Sequence, residues 1–177
     1  MQVPNAFILA FSTVMLPRMA HLLKEKSQKE VTGYISQSMK FISFFSVGMT
    51  FGLFAISDIL IPLFLGKGYT ECIVLVQILA PIILIKACAN VVRTQFLIPY
   101  CKDSIYVVST VLGAVANLIA NILLIPQLGA AGASVGTVIA EFLVMFYQFY
   151  KSRKDLPVTL YIRDALKYVV FGTVMFA

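Results

Sequence analysis

DSIYVVSTVLGAVANLIANILLIPQLGAAGASVGTVIAE, residues 103 to 141, opens on one acid and closes on another, with no charge at any position between them. A helix crossing the hydrocarbon layer needs about 20 apolar residues, so this run is too long for one crossing and well matched to two. It breaks at Pro126-Gln127-Leu128-Gly129, where proline ends one helix and glycine permits a turn before the next. The stretch therefore reads as a transmembrane hairpin. Its first arm carries Asn117 and Asn121, four apart on one helical face, and its second opens on the small-residue run GAAGASVG, residues 129 to 136. Amides in one arm and small residues in the other suit a packed bundle around something polar.

The rest of the composition agrees. Of the 177 residues, 60% are hydrophobic and 12% charged, and mean hydropathy is +0.92. Soluble domains average about 25% charged residues, so lipid is the implied solvent. The apolar runs do not alternate with polar residues as barrel strands do, which disfavours a β-barrel. A net charge of +6 would suit nucleic acid, but the basic residues sit in short clusters between apolar runs, the pattern of membrane topology. Nucleic acid is not an expected partner. Cys72, Cys88 and Cys101 are spaced 16 and 13 residues apart along one expected helix, too far to pair or to share a metal. Residues 1 to 16 contain no basic segment of the secretory-signal kind.

Read in order, the chain is an all-α, polytopic transmembrane bundle of about six helices in a single domain, residues 1–177. The expected spans are about 3–22, 37–65, 71–98, 105–126, 130–150 and 160–177. Leu22 to Tyr34, with Lys24, Glu25, Lys26, Lys29 and Glu30, is expected to be an interhelical loop with room for a helical surface turn, and Pro81 is expected to kink the third span. Lysine and arginine concentrate in the first, third and fifth connections, at Arg18, Lys24, Lys26, Lys29, Lys102, Lys151, Arg153, Lys154 and Arg163. That bias places those connections in the cytoplasm of a bacterial inner membrane. It starts Met1 on the outer side, which hints at sequence upstream.

Ionisable groups inside spans are functional candidates because they are costly to keep in lipid. Lys86, Asn90 and Arg93 follow at spacings of four and three, and so share one face of the third span. Phosphate or pyrophosphate suits such a face, since guanidinium offers forked donors and ammonium a compact charge. The plain alternative for Arg93 is snorkelling to the nearby surface. Glu141 lies midway along its helix, with Ser134, Thr137 and Gln148 on the same side. It is read either as a carrier of a coupling proton or sodium ion or as a structural partner for Lys86. Asp58 is read as solvated or capping and His21 as a surface residue. On the second span Ser36, Lys40, Ser43, Ser46, Thr50 and Ser57 form a polar stripe, facing protein or water, whose hydroxyls are alternatively bonded to their own helix. Gly132 and Gly136 read as a close-packing pair. No HExxH, Walker-type loop or nucleophile elbow is present, so an enzyme is not expected and no cofactor is called for.

VMLPRMAHLL at 14 to 23, LFLGKGYTE at 63 to 71, and the Asn117 and Asn121 helix running into IPQLGAAGASVGTVIAE at 125 to 141 follow in an order that resembles the polysaccharide (Wzx-like) flippases. These belong to the multidrug/oligosaccharidyl-lipid/polysaccharide exporter superfamily. The resemblance implies about 12 to 14 helices in two lobes, with this chain similar to most of the second lobe and the first absent. It implies movement of an undecaprenyl-pyrophosphate-linked oligosaccharide across the membrane for O-antigen, capsule or a related surface polymer. Arg18, Lys86 and Arg93 would hold the pyrophosphate, while Asn90, Asn117, Asn121 and the serine stripe would contact sugar or water, with Glu141 as the ion-coupling site. The implied partners are the lipid-linked oligosaccharide, membrane lipid, the missing lobe and other polysaccharide-assembly proteins. A multidrug or cation antiporter of the same superfamily, and a truncated fragment that does not transport, are the alternatives.

Overall fold

The structure, a computed structural model, describes residues 2–25 and 28–176. Lys26, one of the cytoplasmic charges expected from sequence, lies outside the described residues, as do Met1, Ser27 and Ala177. Helices α1 (Gln2–Glu25), α2 (Gln28–Leu65), α3 (Glu71–Leu79), α4 (Ile82–Val92), α5 (Asp103–Ser152) and α6 (Val158–Phe176) follow in order, with no strand among the described residues. Three helical stretches, 29–65, 71–97 and 103–152, are long and apolar enough to cross a membrane. The chain is a multi-pass membrane protein with an all-helical fold.

The polar stretch expected as a loop is largely helical. Helix α1 runs to Glu25, and α2 begins at Gln28, well before the expected start at 37. Lysine, glutamate and glutamine are good helix formers, so local propensity extends both helices beyond their apolar parts. At the other end of α2, Gly66 leaves the helix with φ +92°, and a 3₁₀ turn at Lys67–Tyr69 leads into α3.

The expected kink at Pro81 divides α3 from α4, while Ala80 and Pro81 both keep right-handed helical angles and 71–97 continues as one helical stretch. Proline offers no N–H to the preceding turn, and the Thr50 hydroxyl of α2 shares its one hydrogen between the Ser46 carbonyl of its own helix (2.8 Å) and the Ala80 carbonyl (3.3 Å). Helix α4 then passes into a π-helical turn, Arg93–Leu97, in which the Ile98 N–H bonds the Arg93 carbonyl at 3.0 Å. Wide turns of this kind often occur at functional positions.

Helix α5 has 50 residues, but only Gly129, at φ 55° and ψ −130°, leaves helical geometry within it. At about 1.5 Å per residue a straight helix of that length would far exceed the hydrocarbon layer. It folds back on itself at Gly129. A Cβ on Gly132 would fall 2.4 Å from the Leu124 carbonyl oxygen, one on Gly136 would fall 2.8 Å from Asn121 Oδ1, and one on Gly113 would fall 2.4 Å from Val144 Cγ2. Those contacts pair the two arms antiparallel, with hydrogen as the side chain wherever the backbones come closest. At the open end of the hairpin, Lys102 Nζ and Asp155 Oδ2 pair at 2.6 Å, with the ammonium 4.7 Å from the Phe96 ring centroid. Both ends of α5 are thereby tied to the π turn.

The core gathers at that same end of the bundle: Met19 of α1, Val31, Ile35, Met39 and Ile42 of α2, Val91 and Val92 of α4, Phe96 and Leu97 of the π turn, Phe149 of α5, and Leu156 and Tyr161 around the start of α6. Helix α6 lies along α2, with Tyr161 against Ser36 (3.2 Å), Asp164 against Lys40 (3.8 Å) and Tyr168 edge-on to Phe44. Most of the polar stripe of α2 is taken up in packing, with Lys40 left exposed beside Asp164. Ser43 meets Cys88 of α4 at 3.7 Å, Ser57 accepts from Gln77 of α3 at 3.1 Å, and Ser46 is fully buried. The expectation that this stripe contacts sugar or water is corrected accordingly: α3, α4 and α6 cover it. On the outside, Val107, Val111, Leu118, Ile122, Phe142 and Phe146 of α5 remain exposed, as suits a lipid-facing surface.

Candidate functional site

Between α4 and the α5 hairpin, with α1 along one side, lies a cavity of about 560 Å³. Lys86, Asn90 and Arg93 line it from α4 and the π turn, facing Asn117 and Thr110 from the first hairpin arm and Glu141 and Gln148 from the second. Five of the residues singled out in the sequence therefore share one wall-to-wall space. The helical spacing of Lys86, Asn90 and Arg93 puts them on one face, and the turn at Gly129 brings the second arm back to meet that face.

The charges are held in place by specific partners. Lys86 Nζ lies 2.9 Å from Glu141 Oε1, with the side chains 37% and 27% exposed. Arg93 donates through Nη2 to Asn90 Oδ1, and its guanidinium stacks 5.2 Å from the Tyr106 ring centroid. Asn90 in turn donates through Nδ2 to the Ser12 hydroxyl of α1, and Ser12 donates to the Ile8 carbonyl at 2.7 Å. This relay orients a forked cation inside the bundle while using one of its N–H groups, leaving the others for an anion. Arg93 is anchored within the cavity wall by these contacts.

On the hairpin, Asn121 donates to Asn117 Oδ1 at 2.7 Å. Asn117 lines the cavity, whereas Asn121 lies a turn further toward Gly129 and does not. Arg18 is exposed on α1 and is also absent from the cavity lining, because its end of α1 runs beyond that level. Two expected site residues, Arg18 and Asn121, are thus not brought to the cavity. Three that the sequence did not single out for the site take part: Ser12, Tyr106 and Gln148. Gln148 carried a signal, since it shares a helical side with Glu141; Ser12 and Tyr106 carried none, as their roles depend on which helices become neighbours. The described residues contain no group of three or more His, Cys, Asp or Glu placed to hold a metal.

Residues 1–84 match the family model of the lipid II flippase MurJ. That segment takes in α1, α2, α3 and the first residues of α4, and stops just short of Lys86. A solved structure described as "Lipid II flippase MurJ, inward closed conformation" superimposes with a TM-score of 0.69 at 17% identity, covering 99% of this chain. The likeness shows a shared fold. This chain spans 38% of the length of that structure. No curated protein matches the chain. Both matches are to a flippase, which is a transporter and not an enzyme. Both matches are to a lipid II flippase, and neither is to the Wzx-like flippases that the sequence resembles.

Proposed function

We propose that this chain forms one lobe of a flippase that carries a polyprenyl-pyrophosphate-linked saccharide across a bacterial inner membrane by alternating access. The observation that carries this reading is the cavity in which Lys86 and Arg93 converge from one helix face upon Asn117 and Glu141 of the hairpin. A pyrophosphate and its sugars are costly to move through hydrocarbon. A polar cavity that opens in turn to each side removes that cost. Arg93, pre-oriented by Asn90 and Tyr106, and Lys86 receive the pyrophosphate, while Asn117 and Asn90 face the sugar end. Of the two cargo types, a lipid II-like precursor is favoured over an O-antigen or capsule unit by the comparisons, and both share this headgroup chemistry. A second lobe completes the cavity, and the basic connections 18–29, 102 and 151–163 face the cytoplasm.

Glu141 is the proposed coupling group. When a pyrophosphate draws Lys86 away, the carboxylate loses its partner and becomes a receptor for a proton or a sodium ion. A multidrug antiporter reading fits less well, since Lys86 and Arg93 would repel cationic drugs.

The test is complementation of cells depleted of the gene, using full-length protein carrying Lys86→Ala or Arg93→Ala, with lipid-linked saccharide on the inner leaflet as the readout. Each variant should lower transport by about 10- to 100-fold, the range for a charge-assisted hydrogen bond lost from a buried site. Transport at the wild-type rate in both variants, with equal expression, would refute the cationic site.

A further inference from the structure

Helices α2 and α6 run side by side in the same direction. Tyr161 meets Ser36, Asp164 meets Lys40, Tyr168 meets Phe44, and a Cβ on Gly172 would fall 2.4 Å from Phe51 Cε2. At the second of these levels Asp164 pairs with Lys40 of α2 and with Lys167 of its own helix, each at 3.8 Å. A hydrogen bond to a carboxylate needs a separation below about 3.2 Å, so these ion pairs use none of the lysine N–H donors. The carboxylate lies inward, its side chain 15% exposed, and the lysines lie outward, at 53% and 59%. Arg163, four residues before Lys167 and so on the same face of α6, is exposed as well. Three cations thus share one carboxylate on the outer surface of the bundle. A cation held at a lipid-facing surface without a counter-charge is costly, so this group calls for an anion from outside the protein.

We propose that the α2–α6 face binds an anionic phospholipid, with its phosphodiester between Lys40 and Lys167 and its acyl chains along Phe44 and Phe171. The order of residues supports this. Phe44 follows Lys40 by four positions and Phe171 follows Lys167 by four, and both rings are exposed. Because the helices are parallel, both faces pass from cation to aromatic ring in one direction, as a phospholipid passes from phosphate to acyl chain. Arg163 stands on the headgroup side. Zwitterionic phospholipids carry the same phosphodiester, but each also carries a cation that the lysines repel, so the face selects lipids of net negative charge. The site is separate from the cargo cavity, to which neither α2 nor α6 contributes a lining residue.

The experiment titrates the full-length protein, in neutral detergent, with phosphatidylglycerol and with phosphatidylcholine, and counts bound lipid by native mass spectrometry. The wild-type protein should bind phosphatidylglycerol more tightly than phosphatidylcholine by about tenfold or more, as charge-assisted contacts to two lysines provide. Lys40→Gln combined with Lys167→Gln should weaken phosphatidylglycerol by about tenfold and erase the preference. Lys151→Gln combined with Lys154→Gln removes the same charge elsewhere on the surface and should leave the affinity within about twofold. Lys40→Arg combined with Lys167→Arg keeps both charges and should keep the preference. If the double glutamine variant does not fold, Lys167→Gln alone, at the more exposed position, should weaken binding by about threefold. Equal binding of the two lipids by the wild-type protein, an undiminished preference in the folded glutamine variant, or an equal loss in the Lys151 and Lys154 variant overturns the site. So does displacement of phosphatidylglycerol by an equimolar amount of polyprenyl pyrophosphate, which would give the face to the carrier lipid instead.

Discussion

Helices α2 and α4 carry polar stripes of the same period, yet the folded chain treats them in opposite ways. On α2, Ser36 donates to the Thr32 carbonyl, Thr50 to the Ser46 carbonyl and Ser57 to the Phe54 carbonyl, all within their own helix. These short hydroxyls are satisfied locally, so the face is free to pack against α3, α4 and α6. On α4, Lys86 and Arg93 are too long and too highly charged to be satisfied by the backbone one turn back. They find partners across a cavity, at Glu141 and Tyr106, and within the relay through Asn90. Period alone identifies a polar face. Whether that face becomes packing or a site depends on whether its groups can be satisfied by their own helix.

The contrast breaks most sharply if the two stripes are emptied in turn. Lys86→Ala combined with Arg93→Ala should reduce transport by about a thousandfold, equivalent to about 4 kcal/mol for two charge-assisted contacts. Ser36→Ala combined with Ser43→Ala should leave transport within about twofold. Comparable losses in the two double variants, scored by the same complementation assay, would erase the distinction between site and packing face.

A second prediction concerns what brings the facing residues to α4. Glu141 and Gln148 reach the cavity only because the hairpin closes, and its tightest approach is Gly132 against the Leu124 carbonyl. A methyl there meets backbone, which cannot yield. Gly132→Ala should lower stability in detergent by about 3 kcal/mol, at the upper end for overpacking. Gly136→Ala meets the end of the Asn121 side chain, which can rotate, and more loosely the Ala120 methyl at 3.2 Å, and should cost about 1 kcal/mol. Equal thermal midpoints for the two variants would mean that the arms are not closed as described.

How much of this was legible in advance follows from the range of the interactions. The hairpin, the kink at Pro81 and the shared face of Lys86, Asn90 and Arg93 are local, and an uncharged run, a proline and a spacing reveal them. The pairing of Lys86 with Glu141 was one of two readings of that carboxylate, and only the folded hairpin brings the two together. Ser12 and Tyr106 could not be anticipated, because each acts on α4 from a different helix and sequence period says nothing of which helices meet. Arg18 sits on α1, as Ser12 does, but outside the lining of the cavity. The polar stretch at 22–34 differs for another reason: its charge is a loop signal, but helix propensity prevails over it at 22–25 and 28–34.

The comparison sharpens further at the α3–α4 kink, where the Thr50 hydroxyl of α2 reaches the backbone of another helix. Thr50→Val removes the bonds to both the Ser46 and Ala80 carbonyls and should cost about 1 kcal/mol. The smallest effect belongs to Ser46, fully buried with its hydroxyl unpartnered. An unpaired buried hydroxyl carries a desolvation cost, which removing it recovers, while the void left by one oxygen takes some of that gain back. Ser46→Ala should therefore leave the thermal midpoint unchanged or raise it, by no more than the equivalent of about 1 kcal/mol. If it instead costs as much as Thr50→Val, Ser46 has a partner that the packed helix conceals. The α2 stripe would then be, like that of α4, a set of groups that need something from outside their own helix.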